Sequence, residues 1–422
     1  LKRQFPFFKS RWLVVVTLSM LSLLLIACTG DEGSWPGIAA DDTTDGEFVI
    51  VSYRRQVIKF GADGDRDWTY NGEDDTDFYA PAYIDEENGL VYVGDYKGRV
   101  HAVDLDNGEG VWTWEEERTQ FLFITIGSTD RVIAPITVSD EKDRLFFGNE
   151  HGIHSLRIDG RDRESNDLEW SYETGHSVWA QPFYLSTSVS CGEDEKRLSI
   201  EDSLLIVTSL DKHMYAFDPT NGDVIWRTNL DGAATNRPAF DCQNERLYVS
   251  TLSSEVLAVD LKGNIVDRFK AKGWVWGSPY LHDWDDNIFI YFGDLAGNLY
   301  GLEITDEGFG KDWSYEIDSE GAAFRAMPLV VPYNETYRLI IGSENGRIYA
   351  YELKLEGSEE NFDWVIDKKW EKSYEEEAFA NLVLVYDDDE ARVVTGTNDE
   401  SNLVVSLRLR DGDSRRLYEY DD

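Results

Sequence analysis

Residues 90–112 read Leu90-Val-Tyr-Val-Gly-Asp-Tyr-Lys-Gly-Arg-Val-His-Ala-Val-Asp104-Leu-Asp-Asn-Gly-Glu-Gly-Val-Trp112. Residues 204–226 read Leu204-Leu-Ile-Val-Thr-Ser-Leu-Asp-Lys-His-Met-Tyr-Ala-Phe-Asp218-Pro-Thr-Asn-Gly-Asp-Val-Ile-Trp226. Both have one grammar: an apolar run, a tight turn, a second apolar run, an Asn-Gly turn, then a third run marked by Trp. A unit of about 50 residues that recurs in this way cannot bury its own hydrophobic face and must stack on its neighbours, as in a propeller or solenoid.

Working outward from these copies, the first strand (A) of each unit starts at or near Pro36, Pro81, Pro135, Pro182, Pro238, Pro279 and Pro328, with Asn381 in the eighth slot. The second strand (B) begins at Phe48, Leu90, Arg144, Leu204, Arg246, Ile288, Arg338 and Arg392. A third (C) carries patterns such as Val-His-Ala-Val. The fourth (D) opens with Trp68, Trp112, Trp170, Trp226, Trp313 and Trp370, with Phe269 and Tyr418 as exceptions. Eight sectors of four short strands predict an all-β, eight-bladed propeller of four-stranded antiparallel blades over residues 35–420. Strand D alternates aromatics at period two, as in Trp170/Tyr172, which places both rings on one face, where they pack between blades.

The net charge is −42. Such a surface repels nucleic acid, so no nucleic-acid partner is expected, and an acidic solubilising coat explains the composition. The N-terminal stretch does not belong to the propeller. Lys2, Arg3, Lys9 and Arg11 form a basic region, and residues 13–27 are an apolar run too short to span a bilayer comfortably. It ends Leu25-Ile-Ala-Cys28, which resembles the bacterial lipobox. The resemblance implies removal of residues 1–27, a lipid on Cys28, a short tether over 28–34, and an extracytoplasmic protein anchored to the cell membrane or outer membrane. The remaining cysteines, Cys191 and Cys242, are then an even pair in an oxidising compartment. Both fall in A-to-B connections of adjacent blades, so a disulfide between them is expected.

The units resemble the quinoprotein-dehydrogenase type of repeat, with matching stretches at 102–112, 216–226 and 341–351. Propellers of the WD40 type fit less well, because Trp-Asp occurs only at Trp284-Asp285, which reads as a loop. Within the repeat class, size and anchor resemble the BamB family of barrel-assembly lipoproteins. That resemblance implies a monomeric, non-enzymatic scaffold that binds envelope proteins.

Chemistry is harder to place. No adjacent cysteine pair, His-Glu-x-x-His, Gly-x-Ser-x-Gly or phosphate-cradling loop occurs. His151 and His154 flank one turn without metal-ligand spacing. The Asp63-Gly-Asp-Arg-Asp67 run reads as a solvated turn rather than a calcium loop. No cofactor, metal or catalytic residue is therefore expected. The D-to-A and B-to-C connections should share one face, the mouth. Phe78, Trp179, Arg237, Trp276 and Arg325 are the candidate partner-binding residues there, joined by Tyr96, Lys97, Arg99, Lys212 and Arg347 from the B-to-C turns. Two alternatives stay open: a redox relative of the quinoprotein enzymes, and a receptor for a carbohydrate or small molecule.

Overall fold

The computed structural model describes residues 36–418 apart from 41–45, 73–75, 116–118, 122–123, 127–130, 160–166, 192–193, 285–286, 317–321, 359–360, 376–380 and 388–389. Eight four-stranded antiparallel sheets, each with its strands in chain order, occupy residues 37–71, 83–114, 137–173, 183–229, 239–270, 280–316, 329–373 and 383–418. These are blades 1 to 8. Two small hairpins are added. Thr119–Phe121 with Ile124–Ile126 lies between blades 2 and 3, and Ser188–Cys191 with Asp194–Arg197 lies between strands A and B of blade 4.

The core is a ring of eight hydrophobic clusters among the described residues, one at each junction between blades. At the junction of blades 1 and 2, Ile50, Val57 and Trp68 meet Phe78, Val91 and Val103. Strands B and C are buried along nearly their whole length, as in Leu204–Thr208 and Val100–Asp104. They read as continuous apolar runs because each face packs on a different neighbour. The ring closes without strand exchange, by packing Ile38, Val49 and Phe60 of blade 1 on Val385, Val404 and Tyr418 of blade 8.

The recurrent Trp acts as a dock between blades. Trp68 Nε1 donates to the Leu105 carbonyl at 2.8 Å, Trp170 to Pro219 at 3.0 Å, Trp226 to Leu261 at 3.0 Å and Trp370 to Leu409 at 3.0 Å. Each acceptor lies in the C-to-D turn of the next blade along the chain. The indole then lies against that turn's glycine, Gly108, Gly222, Gly263 or Gly412, where a Cβ would come within 2.7–2.8 Å of the ring. All four glycines have φ between +71° and +83°, so the turn and the docking surface both call for Gly. Strand D starts two residues before Trp68, Trp170 and Trp226 rather than at them, and a β-bulge intervenes, as between Ala216 and Phe217. The bulge bends the outer strand and blunts its open edge.

Three sequence expectations need correcting. Phe269 does not fill the Trp slot of blade 5. Asp267 pairs with Ala258 as Trp226 pairs with Ala216, and its carboxylate accepts from Phe309 N at 2.8 Å, reversing the dock's polarity. Trp284 is not in a loop. It ends strand Tyr280–Trp284 and is 8% exposed, because blade 7 extends its C–D hairpin (Arg347–Ser358 and Asn361–Ser373) until Trp364 covers Trp284, Phe289 and Tyr291. That extension replaces the docking turn, and Trp313 Nε1 is left without a hydrogen-bond partner. His154 is inside strand Gly152–Arg157, stacked on Phe147 at 5.1 Å. Only His151 lies in the turn.

Candidate functional site at the propeller mouth

The backbone builds the mouth before any side chain does. In six D-to-A segments among the described residues one residue is fully buried between blades: Phe78, Val132, Val178, Ala234, Val275 and Phe324, all 0% exposed. Its N–H donates to the B-to-C turn of the preceding blade, as Phe78 to Arg54, Val132 to Asp95, Val178 to Asn149, Val275 to Thr251 and Phe324 to Asp294. The B-to-C turn of the blade that the segment leads into donates to it in turn, as Tyr96 to Asp77, Leu210 to Ser177, Leu252 to Ala233 and Leu295 to Trp274. The two kinds of connection therefore share one face, laced into a rim that fixes the position directly after the buried residue.

That position holds Tyr79, Ile133, Trp179, Thr235, Trp276 and Arg325 in the corresponding blades. Trp179 and Trp276, two blades apart, bring their ring centroids to 6.4 Å. Arg325 places its guanidinium 4.6 Å from the Trp276 centroid and pairs with Glu344 across the rim. Stacking holds the cation rigid while its edge stays open, and the Arg325 side chain is 31% exposed. The Trp276 carbonyl accepts from Thr235 Oγ1 at 2.8 Å and Asn236 Nδ2 at 3.2 Å, which fixes the loop beneath the ring. Trp179 and Trp276 are half-buried, and Trp179 Nε1 has no hydrogen-bond partner. Arg237 is exposed and lies 4.4 Å from the Phe183 centroid.

Two expected mouth residues are elsewhere. Phe78 is 0% exposed, with its ring 5.0 Å from His101. It is the inter-blade plug, and the neighbouring Tyr79 takes the mouth position, 4.7 Å from Tyr96. Arg99 is 6% exposed. It turns inward to Asp95 at 2.6 Å and Thr76 at 2.6 Å, and His101 joins the same carboxylate at 3.0 Å. Burial pushes the Asp95 carboxyl up, but the bonds from His101 and Arg99 outweigh it and the net direction is down. This buried network anchors the turn. Lys212 is exposed, and Arg347 pairs with Glu371 at 3.1 Å. Sequence reading missed Trp274, 57% exposed on this rim. The signal was its place one residue before the buried Val275.

On the opposite face, Cys191 and Cys242 form a disulfide with Cα atoms 5.8 Å apart. Lys196 of the same hairpin donates to the Cys242 and Gln243 carbonyls at 2.8 Å each, clipping blade 4 to blade 5. Cys28 and residues 1–35 lie outside the described residues. Among the described residues no group of three or more His, Cys, Asp or Glu is placed to hold a metal ion.

Many solved structures are similar in fold, among them the following two. BamB from Moraxella catarrhalis is 17% identical, with 88% of this chain and 95% of that one covered and a TM-score of 0.56. Sqt1 from Saccharomyces cerevisiae is 9% identical, with 90% and 98% covered and a TM-score of 0.62. At these identities the likeness is one of architecture, which many functions share. No curated protein matches the chain. The family model described as outer membrane protein assembly factor BamB matches residues 36–171 and 168–416, and over that span the chain belongs to this BamB family of β-propellers.

Proposed function

We propose that the protein is a non-enzymatic, lipid-anchored scaffold of the cell envelope that holds a protein partner at its mouth, in the service of outer-membrane protein assembly. The observation that carries this reading is the convergence of Trp179, Trp276 and Arg325 from three different blades. Trp and Arg on a rigid frame are the residue types that dominate protein-binding hot spots. Family membership supports the assembly role, and the Leu-Ile-Ala-Cys28 site supports the anchor.

Trp179→Ala, Trp276→Ala and Arg325→Ala should each weaken capture of the envelope partner by about 2 kcal/mol, while circular dichroism and melting stay unchanged. Unchanged capture by all three variants would remove the mouth as the site. As a non-enzyme, the purified protein should show no saturable uptake of a pyrroloquinoline quinone with calcium by calorimetry and no alcohol oxidation. Stoichiometric binding with turnover would replace the scaffold reading by the redox one.

A further inference from the structure

Two arginines on the mouth rim are held in the same way. Arg131 comes from the D-to-A segment that leads into blade 3, and its guanidinium lies 5.6 Å from the centroid of Tyr96, in the B-to-C turn of blade 2. Its Nε lies 3.4 Å from Oε1 of Glu150, in the B-to-C turn of blade 3. Arg325 comes from the segment that leads into blade 7. It stacks at 4.6 Å on Trp276, of the segment leading into blade 6, and pairs with Glu344 in the B-to-C turn of blade 7. Each aromatic partner is backed by a second ring, Tyr96 by Tyr79 at 4.7 Å and Trp276 by Trp179 at 6.4 Å.

The order is therefore ring, ring, guanidinium, carboxylate at both places. Blades 2 and 3 stand four blades from blades 6 and 7, and in a closed ring of eight blades four steps are half a turn. The two clamps face each other across one opening. Repetition of the blade does not by itself produce them. Arg131 lies one residue before the buried Val132 and Arg325 one residue after the buried Phe324, and Tyr96 and Trp276 belong to different kinds of connection. The same stacked ion pair arises at opposite rims by two local routes.

Each clamp can do the same chemistry. Stacking and the ion pair hold the guanidinium in place, so little rotamer freedom remains to be lost on binding. The glutamate takes one edge of a five-donor fork, and the side chains of Arg131 and Arg325 are 51% and 31% exposed. The open donors suit a second carboxylate, and the ring beside them suits an apolar side chain. On a chain with a net charge of −42, a carboxylate is repelled by most of the surface and admitted where a fixed cation meets it.

We infer that the mouth binds one protein segment that lies across the opening and is gripped at both ends, each end offering a carboxylate next to an apolar side chain. The inference rests on the reading above that a protein partner is held at the mouth. It deepens that reading by adding Tyr96 and Arg131 to the site and by fixing the partner's path. Two grips on one segment make the second contact intramolecular, so the segment is held more tightly than by either clamp alone.

The test is site-specific photo-crosslinking in intact cells, with a photoreactive phenylalanine analogue, which keeps a ring at the site, in place of Tyr96 or of Trp276. Both positions should give an adduct with the same envelope protein, and mass spectrometry should place the two crosslinked peptides in one segment of it. Arg131→Ala, with an unchanged melting curve, should lower the yield of the position-276 adduct about tenfold from the far side of the opening, as loss of one of two linked contacts requires. Arg131→Lys, which keeps the charge and loses the fork, should restore only part of that yield. An adduct from position 276 alone, adducts with two different proteins, or a position-276 yield indifferent to Arg131→Ala would overturn the spanning arrangement and leave the mouth as the partner site. No adduct from either position would overturn both.

Discussion

The hydroxyl of Tyr418 donates to Gln56 Oε1 at 2.6 Å across 362 residues of chain. The last strand of blade 8 is thereby joined to the start of strand C of blade 1, and the ring is closed by side chains rather than by a shared sheet. Tyr418→Phe removes the bond and should cost about 1 kcal/mol. Tyr418→Ala also empties part of the junction and should cost about 3 kcal/mol. Chemical denaturation measures both, and equal stability of the two variants would mean that closure does not depend on this ring.

The Trp dock makes a prediction about a glycine. Gly222 has φ +77°, and a Cβ there would lie 2.7 Å from the Trp170 indole. Gly222→Ala should therefore destabilise by more than the roughly 1 kcal/mol expected of a strained turn alone. Trp170→Phe, which strands the Pro219 carbonyl, should cost about 1–3 kcal/mol. If both substitutions leave the melting temperature unchanged, the dock contributes nothing to the ring.

The disulfide closes a loop with a sequence separation of 51, worth about 4 kcal/mol by the chain-entropy estimate. Replacing both cysteines with Ser should lower the unfolding midpoint accordingly, while Lys196 keeps the hairpin against Cys242 and Gln243. A midpoint unmoved by the double substitution would show that the clip is redundant.

Two half-buried histidines set an acid limit. Burial, with His151 nearby as a smaller contribution, lowers the His154 pKa from 6.5 to about 4. Burial alone lowers that of His282 to about 4. The unfolded chain takes up these protons near pH 6.5 and the native protein only near 4. Stability is thus fully present above pH 6.5 and declines as pH falls through that window. His154→Phe and His282→Phe should each flatten the decline between pH 6.5 and 4 in a series of melting curves. An unaltered slope in the double variant would assign the acid sensitivity to other groups.

The architecture was legible because it repeats. Eight prolines or their substitutes, eight apolar B strands and a Trp at fixed spacing report the same event, and one misread copy does not change the count. Errors arose where a blade departs from the pattern. Asp267 does the work of Trp with the donor and acceptor exchanged, and composition gives no sign of that. The mouth was half legible. Proline spacing picked out Trp179, Trp276 and Arg325, but which residue of Phe78-Tyr79 faces outward depends on a one-residue register, and only the rim hydrogen bonds decide it. Arg99 was misplaced because a cation in a turn is ordinarily solvated, whereas here Asp95 and Thr76 hold it inside.

The claim that the mouth holds a protein partner is tested most directly by site-specific photo-crosslinking in intact cells. A photoreactive residue in place of Trp276 should yield one discrete adduct with an envelope protein, and that adduct should disappear when Trp179→Ala and Arg325→Ala are added. The same residue in place of Thr220, on the opposite face, should yield none. Capture of the same protein from position 220, with none from position 276, would contradict the account.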